Sequence, residues 1–332
     1  MKKRIAITGG AGFIGSHLVD SLFRGEHELV VIDDLSTGNV ENLHPKVTFQ
    51  NTSLENINSD ILEGVDIVFH LASISGEAVS FHSPATCFLK NVQAGYNLVK
   101  CCVEAKVRKI VFTSSMAVYG NRQPVPFSED MPCEPTDPYG VSKQTIENLI
   151  QAYGSLGLFE WNILRLHSVY GSRMNLSDPY RGVIGIFISQ AIQKKPISVY
   201  GDGTQTRAFT FIEDIIPRIV QSGLDENINE QILNLGSEKP ASLINAAKAV
   251  FEILGEPENI TFFPNRLGEA KNAFTTSQRA KKVFGDLPET DFRDGLASTI
   301  AWAKTKNELR FNAKMLDLDL NLGESPIPWL KN

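Results

Sequence analysis

The stretch Arg4-Ile5-Ala6-Ile7-Thr8-Gly9-Gly10-Ala11-Gly12-Phe13-Ile14-Gly15-Ser16-His17-Leu18 decides the fold of this chain of 332 residues. A run rich in isoleucine enters a glycine turn with the spacing Gly9-xx-Gly12-xx-Gly15 and then continues with the periodicity of an amphipathic helix. A strand, a glycine turn and a helix in that order let backbone amides at the helix start approach a phosphate. The stretch therefore predicts a phosphate-binding βα unit.

Apolar runs and helical patterns alternate through the first half of the chain. The predicted strands are 28–33, 65–71, 109–113 and 159–166, and the predicted helices are 84–105 and 139–153. Continuous apolar strands that alternate with helices favour a parallel sheet covered on both faces. We expect an α/β protein with a doubly wound parallel Rossmann sheet and a smaller C-terminal α/β lobe that binds the substrate.

The second half of the chain has shorter elements. They are predicted as helices at 184–194, 243–254 and, last, 280–284, with strands at 197–203 and 232–235. Leucines at every second position of 316–322 predict a half-buried strand in the tail. We place one domain at 1–170 and the second lobe at 171–332, with some later segments crossing back to the first.

Composition limits the partners that this chain can have. The net charge of −6 and the pI near 5.6 argue against binding nucleic acid or an anionic membrane, which needs clustered Lys and Arg. No apolar run reaches the ~18 residues of a membrane span, and glycines interrupt the first run too early for a signal peptide. The four cysteines lack metal or disulfide spacing, so we expect reduced thiols, no metal site and a cytoplasmic protein.

Asp33 indicates which cofactor the glycine turn binds. It ends the second predicted strand, near the ~20-residue interval at which an acid accepts hydrogen bonds from an adenosine ribose. A 2′-phosphate beside Asp33 and Asp34 would meet negative charge, and no arginine directly follows Gly10 or Asp34. Glycine turns alone are common, but together with Asp33 this turn predicts NAD rather than NADP.

Tyr139 and Lys143 lie four residues apart at a predicted helix start, so their side chains share one face. A tyrosine with the ordinary pKa of ~10 is a poor base at neutral pH, and a nearby cation favours the phenolate. Ser115 follows the strand at 109–113, and substrates bind at such strand ends in doubly wound sheets. The YxxxK spacing is common on ordinary helix surfaces, so catalysis is indicated by the combination with Asp33 and the glycine turn.

A set of short motifs extends over most of the chain. The motifs lie at 8–18, 33–39, 70–72, 114–115, 138–143, 169–171 and 201–207. In these motifs the sequence resembles the extended short-chain dehydrogenase/reductase family, and within it the nucleotide-sugar epimerases of the UDP-glucose 4-epimerase type. The set is highly specific for the family and less specific for the reaction.

The resemblance implies a role for each matched residue. The residues implied in catalysis are Ser115, Tyr139 and Lys143. The residues implied in holding NAD are Gly9, Gly12, Phe13, Ile14, Gly15, Asp33, Leu71, Ala72, Asn91, Tyr139 and Lys143. The residues implied in holding the nucleotide sugar are Ser168, Arg207, Arg266, Glu269 and Ala273. Of these, the two arginines would grip the diphosphate, for which the forked donors of guanidinium are suited.

The two residues after Ser115 disfavour the sister reactions of the family. In the similar 4,6-dehydratases an Asp-Glu pair stands there, and the similar decarboxylases keep the Glu. Here Met116 and Ala117 occupy these positions and cannot transfer a proton. We therefore expect neither dehydration nor decarboxylation.

Two positions bear on the sugar. Ser168 stands where relatives usually carry an Asn that touches the sugar or phosphate. Ala273, by an ungapped count from Arg266, stands where some relatives carry a bulky Tyr near the sugar C2 substituent. A small residue there predicts room for an N-acetyl group.

We expect reversible epimerisation at C4 of UDP-glucose or UDP-N-acetylglucosamine, through transient oxidation to the 4-keto sugar. An epimerase acting at C2 or C3 would carry much the same motifs. The alternatives are a net oxidoreductase, which would use the same three residues, and a non-enzymatic NAD-binding regulator. The resemblance also implies a homodimer that packs through helices near 86–105 and 139–155.

Overall fold

The computed structural model describes residues 2–266, 268–286, 289–306, 309–323 and 325–330. Its centre is a parallel sheet, which comprises seven strands among these residues, in the order β11-β6-β5-β4-β1-β2-β3. The strands are β1 (Arg4–Thr8), β2 (Glu28–Asp33), β3 (Thr48–Asn51), β4 (Ile67–His70), β5 (Lys109–Ser115), β6 (Glu160–Leu166) and β11 (Gln231–Leu235). The predicted doubly wound parallel sheet is confirmed.

Helices cover both faces of the sheet, and further helices pack against the later, smaller strands. The helices of the described residues are α1 (Phe13–Arg24), α2 (Glu77–Ser80), α3 (Pro84–Cys87), α4 (Ala94–Glu104), α5 (Pro138–Gly154), α6 (Val183–Ile192), α7 (Ile212–Leu224), α8 (Leu243–Leu254), α9 (Gln278–Phe284) and α10 (Phe292–Ala303). A π-helical segment, Phe88–Gln93, joins α3 to α4. Within the described residues, no helix is both long and apolar enough to cross a membrane.

Alternate residues of β1 face opposite layers, as the two-residue period of a strand requires. Ile5 and Ile7 pack in a cluster with residues of α1 and α7. Ala6 packs in a second cluster that includes Leu98 of α4 and Ile146 of α5. The strand is thus buried on both sides, which explains its continuous apolar sequence.

The later part of the chain adds small sheets beside the large one. These sheets are formed by β7 (Val169–Tyr170) with β10 (Thr210–Phe211), β8 (Ile197–Tyr200) with β13 (Ile260–Phe263), and β9 (Thr206–Ala208) with β12 (Pro240–Ser242) and β14 (Asn272–Ala273). β11 lies beyond residue 170 yet forms an edge of the large sheet, next to β6. The division into domains at residue 170 stays a prediction.

The structure corrects two predictions for the C-terminal part. The strand predicted at 316–322 is wrong: this segment is irregular, and of its leucines only Leu316 is buried. The segment is anchored by single hydrogen bonds instead: Asp319 accepts from the amides of Ala85 (2.7 Å) and Thr86 (3.1 Å), and the amide of Leu320 donates to the carbonyl of His82 (2.9 Å). The helix predicted as the last is also not the last, since α10 follows α9.

A buried ion pair joins α5 to β6. Nη2 of Arg165 lies 2.7 Å from Oε2 of Glu147, and these side chains are only 4% and 2% exposed. The Ser114 hydroxyl on β5 also donates to Glu147. Because α5 carries Tyr139 and Lys143, this pair fixes the helix that carries the predicted catalytic residues.

We predict that Glu147→Ala lowers the free energy of unfolding by about 3–5 kcal/mol, because it leaves the Arg165 guanidinium buried without a counterion. Urea denaturation of the purified protein measures the loss. The control is Glu104→Ala, which breaks the exposed pair between Glu104 and Lys100 (3.7 Å) on α4. That change is expected to cost less than about 0.5 kcal/mol. Equal losses in the two variants would contradict the prediction.

Candidate active site

A cavity of about 960 Å³ lies at the carboxyl ends of the central strands. Residues that directly follow β1 and β4, and the last residue of β5, line it, since parallel strands end at the same edge of a sheet. The predicted site residues among its lining are Gly9, Gly12, Phe13, Ile14, Gly15, Asp33, Leu71, Ala72, Ser115, Tyr139, Lys143, Ser168, Arg207, Arg266 and Glu269. Asn91 and Ala273 are not part of the lining.

The glycine turn brings the start of α1 against the end of β1. Gly9 has a φ of +68°, a conformation that side-chain-bearing residues rarely adopt. A Cβ on Gly15 would lie 2.1 Å from the carbonyl oxygen of Gly9, so no side chain fits there. α1 begins at Phe13, and its N-cap residue Gly12 provides no side-chain cap, which leaves the first amides of the helix available to an anion.

Asp33 is tied to the same turn. Its carboxylate accepts hydrogen bonds from the amides of Ala11 and Leu35, both at 2.9 Å. Burial raises the pKa of Asp33, and these amides act against the rise. The carboxylate is therefore held in a fixed place at the rim of the cavity.

The neighbourhood of Asp33 has an excess of acid. Lys90 lies 3.1 Å from Asp34 and 3.2 Å from Glu55, so one ammonium serves two carboxylates. Asp33 adds a further carboxylate to these two. A phosphate group at this end would meet net negative charge, and a free ribose would meet hydrogen-bond acceptors.

The start of α5 is built by local sequence. Asp137 caps the helix by accepting a hydrogen bond from the amide of Gly140 (2.8 Å), and Pro138 occupies the first turn. The amide of Tyr139 donates to the Ser80 hydroxyl (3.2 Å). Ser115 ends β5, and its hydroxyl accepts from the amide of Ala117 (3.2 Å).

Ser115, Tyr139 and Lys143 meet in the cavity. Burial raises the pKa of the Tyr139 phenol, and a hydrogen bond with Ser115 acts against the rise. Burial lowers the pKa of Lys143 to about 8, and its ammonium donates to the carbonyl of Thr113 (3.0 Å). The ammonium lies 5.8 Å from the centre of the Tyr139 ring. That Lys143 lowers the pKa of the phenol stays a prediction.

The predicted diphosphate arginines differ in their contacts. Arg207 donates to the carbonyls of Thr206 (2.8 Å) and Ala270 (2.9 Å) and lies 3.4 Å from Glu269. The guanidinium of Arg266 lies over the ring of Tyr200, 4.0 Å from its centre. Within the described part of the chain, the buried Nε of Arg266 has no hydrogen-bond partner. Arg266 is thus the arginine that is ready for an anionic ligand; Leu267, beside it, lies outside the described residues.

Ser168 has a φ of +43°, in the left-handed region. Asn adopts this region more readily than other residues with side chains, which gives a physical reason for the Asn that relatives carry there. A strained backbone of this kind at a cavity wall is typical of functional sites.

Asn91 and Ala273 lie outside the lining of the cavity, and their predicted roles stay predictions. The Asn91 side chain binds protein atoms: it accepts from the amide of Ile74 (2.8 Å) and donates to the Ser142 hydroxyl (2.9 Å). Asn91 thereby fastens the loop that carries Ile74, which lines the cavity. Ala273 pairs with Arg207 between β14 and β9 and packs in a cluster with Met116. Because Ala273 is not among the lining residues, the room for an N-acetyl group stays a prediction.

Glu77 also lines the cavity and is absent from the residues predicted from the sequence. Burial raises its pKa to about 7; the charges of Asp137 and Glu269 add to the rise, and Arg207 opposes it. The sequence feature that could have identified Glu77 is its place seven residues beyond His70, after a central strand.

Comparison with known proteins identifies the family. The sequence model of the NAD dependent epimerase/dehydratase family matches residues 5–236. The chain belongs to this family. The resemblance to extended short-chain dehydrogenases/reductases is thereby confirmed, and the protein is an enzyme of the nucleotide-sugar epimerase/dehydratase group.

Similar proteins within the family have different reactions. A UDP-glucose 4-epimerase of Mycolicibacterium smegmatis is 31% identical over 318 residues, which cover 92% of this chain and 100% of that protein. A UDP-N-acetyl-alpha-D-glucosaminuronate decarboxylase of Bacillus cytotoxicus is also 31% identical, over 91% of this chain and 98% of that protein. The solved UDP-glucose 4-epimerase of Thermus thermophilus in complex with NAD is 29% identical, with a TM-score of 0.83 over 91% of this chain and 99% of that chain.

NAD is the cofactor of this family member. The uncapped start of α1, the close contact at Gly15 and the fixed Asp33 carboxylate fit its diphosphate and adenosine ribose. We predict that Gly15→Ala weakens NAD binding by about tenfold or more, because the turn must move away from the helix that faces the phosphate.

NAD released from the denatured protein, and NAD titration of the stripped enzyme, measure this effect. The control is Gly25→Ala at the other end of α1, where the backbone φ of −77° accepts any residue. Its NAD content is expected to equal that of the wild type. Full NAD binding by Gly15→Ala would show that the close contact does not shape the site.

Proposed function

We propose that this enzyme epimerises a UDP-linked hexose at C4. The observation that carries the proposal is the placement of Ser115, Tyr139 and Lys143 in the cavity that extends from the glycine turn to Arg266. A nucleotide sugar held by its diphosphate at Arg266 has its hexose within the same space. The similar 4-epimerases from other organisms support the choice of reaction.

The residues of the chain have separate tasks in this reaction. The Tyr139 phenolate accepts the proton of the 4-hydroxyl, directly or through the Ser115 hydroxyl. Lys143, held by the Thr113 carbonyl, keeps a positive charge near the phenol. Arg266 and Arg207 hold the diphosphate while the 4-keto sugar turns and presents its other face. Bound NAD, held by the glycine turn and Asp33, would supply a positive charge and reversible hydride transfer at C4.

The lining beside Ser115 supports epimerisation over elimination. Met116 lines the cavity next to Ser115 and has no exchangeable proton on its side chain. Ala117 is buried and equally inert. Dehydration and decarboxylation of the sugar need an acid or base, and these positions supply none.

We predict that Tyr139→Phe reduces turnover by about 10²- to 10⁴-fold, the usual contribution of a positioned proton acceptor. NAD remains bound, because the glycine turn and Asp33 are unchanged. Product NMR with UDP-glucose and UDP-N-acetylglucosamine measures turnover, and NAD release measures binding. Unchanged turnover would rule out Tyr139 as the base. Loss of both turnover and NAD would indicate a damaged site rather than a lost proton acceptor.

A net oxidoreductase is the second candidate, because it would use the same three residues. The two functions differ in their balance of electrons. An epimerase consumes no net nicotinamide, whereas a reductase or dehydrogenase consumes one nicotinamide for each sugar. Absorbance at the nicotinamide band during turnover therefore distinguishes them.

We also propose a homodimer that packs through α3, α4 and α5. These helices and the π-helical segment between α3 and α4 lie side by side and carry exposed apolar side chains: Phe88 of that segment is 61% exposed, Tyr96 of α4 49% and Val141 of α5 49%. Apolar side chains grouped on neighbouring helices are typical of an interface. The cytoplasmic location stays a prediction, supported by free cysteines at all four positions.

We predict that Tyr96→Glu combined with Phe88→Glu shifts the protein from dimer to monomer, because a dimer would have to bury these charges. Light scattering after size-exclusion chromatography measures the mass. The control is Phe262→Glu, a side chain 55% exposed on β13. It is expected to leave the mass unchanged. A double variant that remains dimeric would place the interface elsewhere.

A further inference from the structure

The C-terminal segment, residues 311–330 as far as the structure describes them, packs on a wall of the cavity. The amide of Asn312 donates to the carbonyl of Ser177 (2.8 Å). The Tyr180 hydroxyl donates in turn to the carbonyl of Ala313 (2.7 Å). Ser177 and Tyr180 both line the cavity. The C-terminal segment thus fastens the wall that these two residues form.

An apolar cluster holds the same segment against a second part of the cavity. Leu316 and Ile327 are buried together with Val79 and Tyr180, and Ile74 packs against this cluster. Ile74 lines the cavity and belongs to the loop that follows β4. Two parts of the cavity wall that are far apart in sequence are therefore joined by side chains of the C-terminal segment.

Tyr200 joins the C-terminal segment to Arg266. Its hydroxyl donates to the carbonyl of Pro326 (3.2 Å). Its ring lies beneath the guanidinium of Arg266, 4.0 Å from the ring centre, and Tyr200 is only 8% exposed. A cation over an aromatic face is attracted by the charge distribution of the ring. Tyr200 therefore holds the guanidinium whose buried Nε is left open to a ligand, and the C-terminal segment holds Tyr200.

The cofactor side of the cavity is fastened without this segment. Within the described residues, neither the glycine turn nor Asp33 shares a hydrogen bond with the C-terminal segment. The further hydrogen bonds of the segment reach the carbonyl of His82 and the amides of Ala85 and Thr86, next to α3. A change in the segment should therefore affect the substrate side and leave the NAD side intact.

We propose that the C-terminal segment positions the substrate side of the cavity for a nucleotide diphosphate. It holds Arg266 through Tyr200 and the cavity wall through Tyr180. A site whose side chains are already ordered loses less free energy when the ligand binds, so the segment strengthens nucleotide binding. It takes no part in the transfer of the proton or the hydride. This inference rests on the proposed function, because it requires the diphosphate of the substrate at Arg266.

The test compares two leucines of the segment in the NAD-loaded full chain. Leu316→Ala removes a buried contact of the cluster, and Leu322→Ala, the control, changes a side chain that is 41% exposed. Calorimetry measures the affinity for UDP, and product NMR measures KM and kcat for UDP-glucose. Leu316→Ala is expected to weaken UDP by about tenfold and to raise KM by a similar factor, with kcat and NAD content unchanged. Leu322→Ala is expected to equal the wild type in all four quantities.

Two changes at Tyr200 test the connection to Arg266. Tyr200→Phe keeps the ring and removes the hydroxyl that reaches Pro326, and it is expected to weaken UDP by about fivefold, the usual effect of one hydrogen bond. Tyr200→Leu also removes the ring and is expected to weaken UDP by about tenfold or more. In an Arg266→Ala background neither change is expected to weaken UDP further, because residues that act through one contact are not additive.

The other outcomes overturn the positioning role or separate it from the proposed function. Wild-type UDP affinity in Leu316→Ala overturns it, and so does a loss of NAD together with UDP, which would show that the segment stabilises the whole chain. Equal losses from the Tyr200 changes with and without Arg266 overturn it as well. If the variants bind UDP as expected but no UDP-sugar is epimerised, the proposed function fails and the positioning role stands. If UDP does not bind the wild type, both fail.

Discussion

The contact between Gly15 and the Gly9 carbonyl is the constraint on which the rest of the site depends. It sets how closely α1 approaches β1, and it leaves the first amides of the helix facing the cavity. Asp33 reinforces it, because the same carboxylate that faces the cavity also accepts the Ala11 amide of the turn. The cofactor site and the packing of the first βα unit are therefore one structure, and a change in either alters both.

The predicted catalytic residues depend on a second, more deeply buried interaction. Lys143 and Glu147 lie one turn apart on α5, and Glu147 is held by Arg165 of β6 and Ser114 of β5. The helix is thus fixed to two strands from within the core. Its start is fixed separately, by the Asp137 cap and by the hydrogen bond from Tyr139 to Ser80. Tyr139 is held between these attachments, which is what a proton acceptor of defined geometry requires.

Strand order made part of the site predictable from the sequence. Gly9, Leu71 and Ser115 directly succeed or end parallel strands, so their convergence is a topological consequence. Residues whose role depends on register or side-chain direction were not predictable in this way: Ala273 is set by its pairing with β9, and Asn91 turns toward Ser142. The strand predicted at 316–322 is absent because alternating leucines form a strand only where a partner strand exists. By contrast, the sequence does indicate the helix α10, since the apolar residues Phe292, Leu296 and Ile300 recur every four residues.

The charges along the cavity differ in a way that can orient a long ligand. Asp33 and its acidic neighbours lie beside the glycine turn, and Arg266, whose buried Nε has no hydrogen-bond partner in the described part of the chain, lies elsewhere in the lining. In the proposed function a nucleotide sugar binds with its diphosphate at Arg266, because the acidic side of the cavity opposes a further negative group. The charges that favour a ribose over a phosphate beside Asp33 would thus also set the direction in which the substrate binds, so cofactor choice and substrate orientation would have the same electrostatic origin.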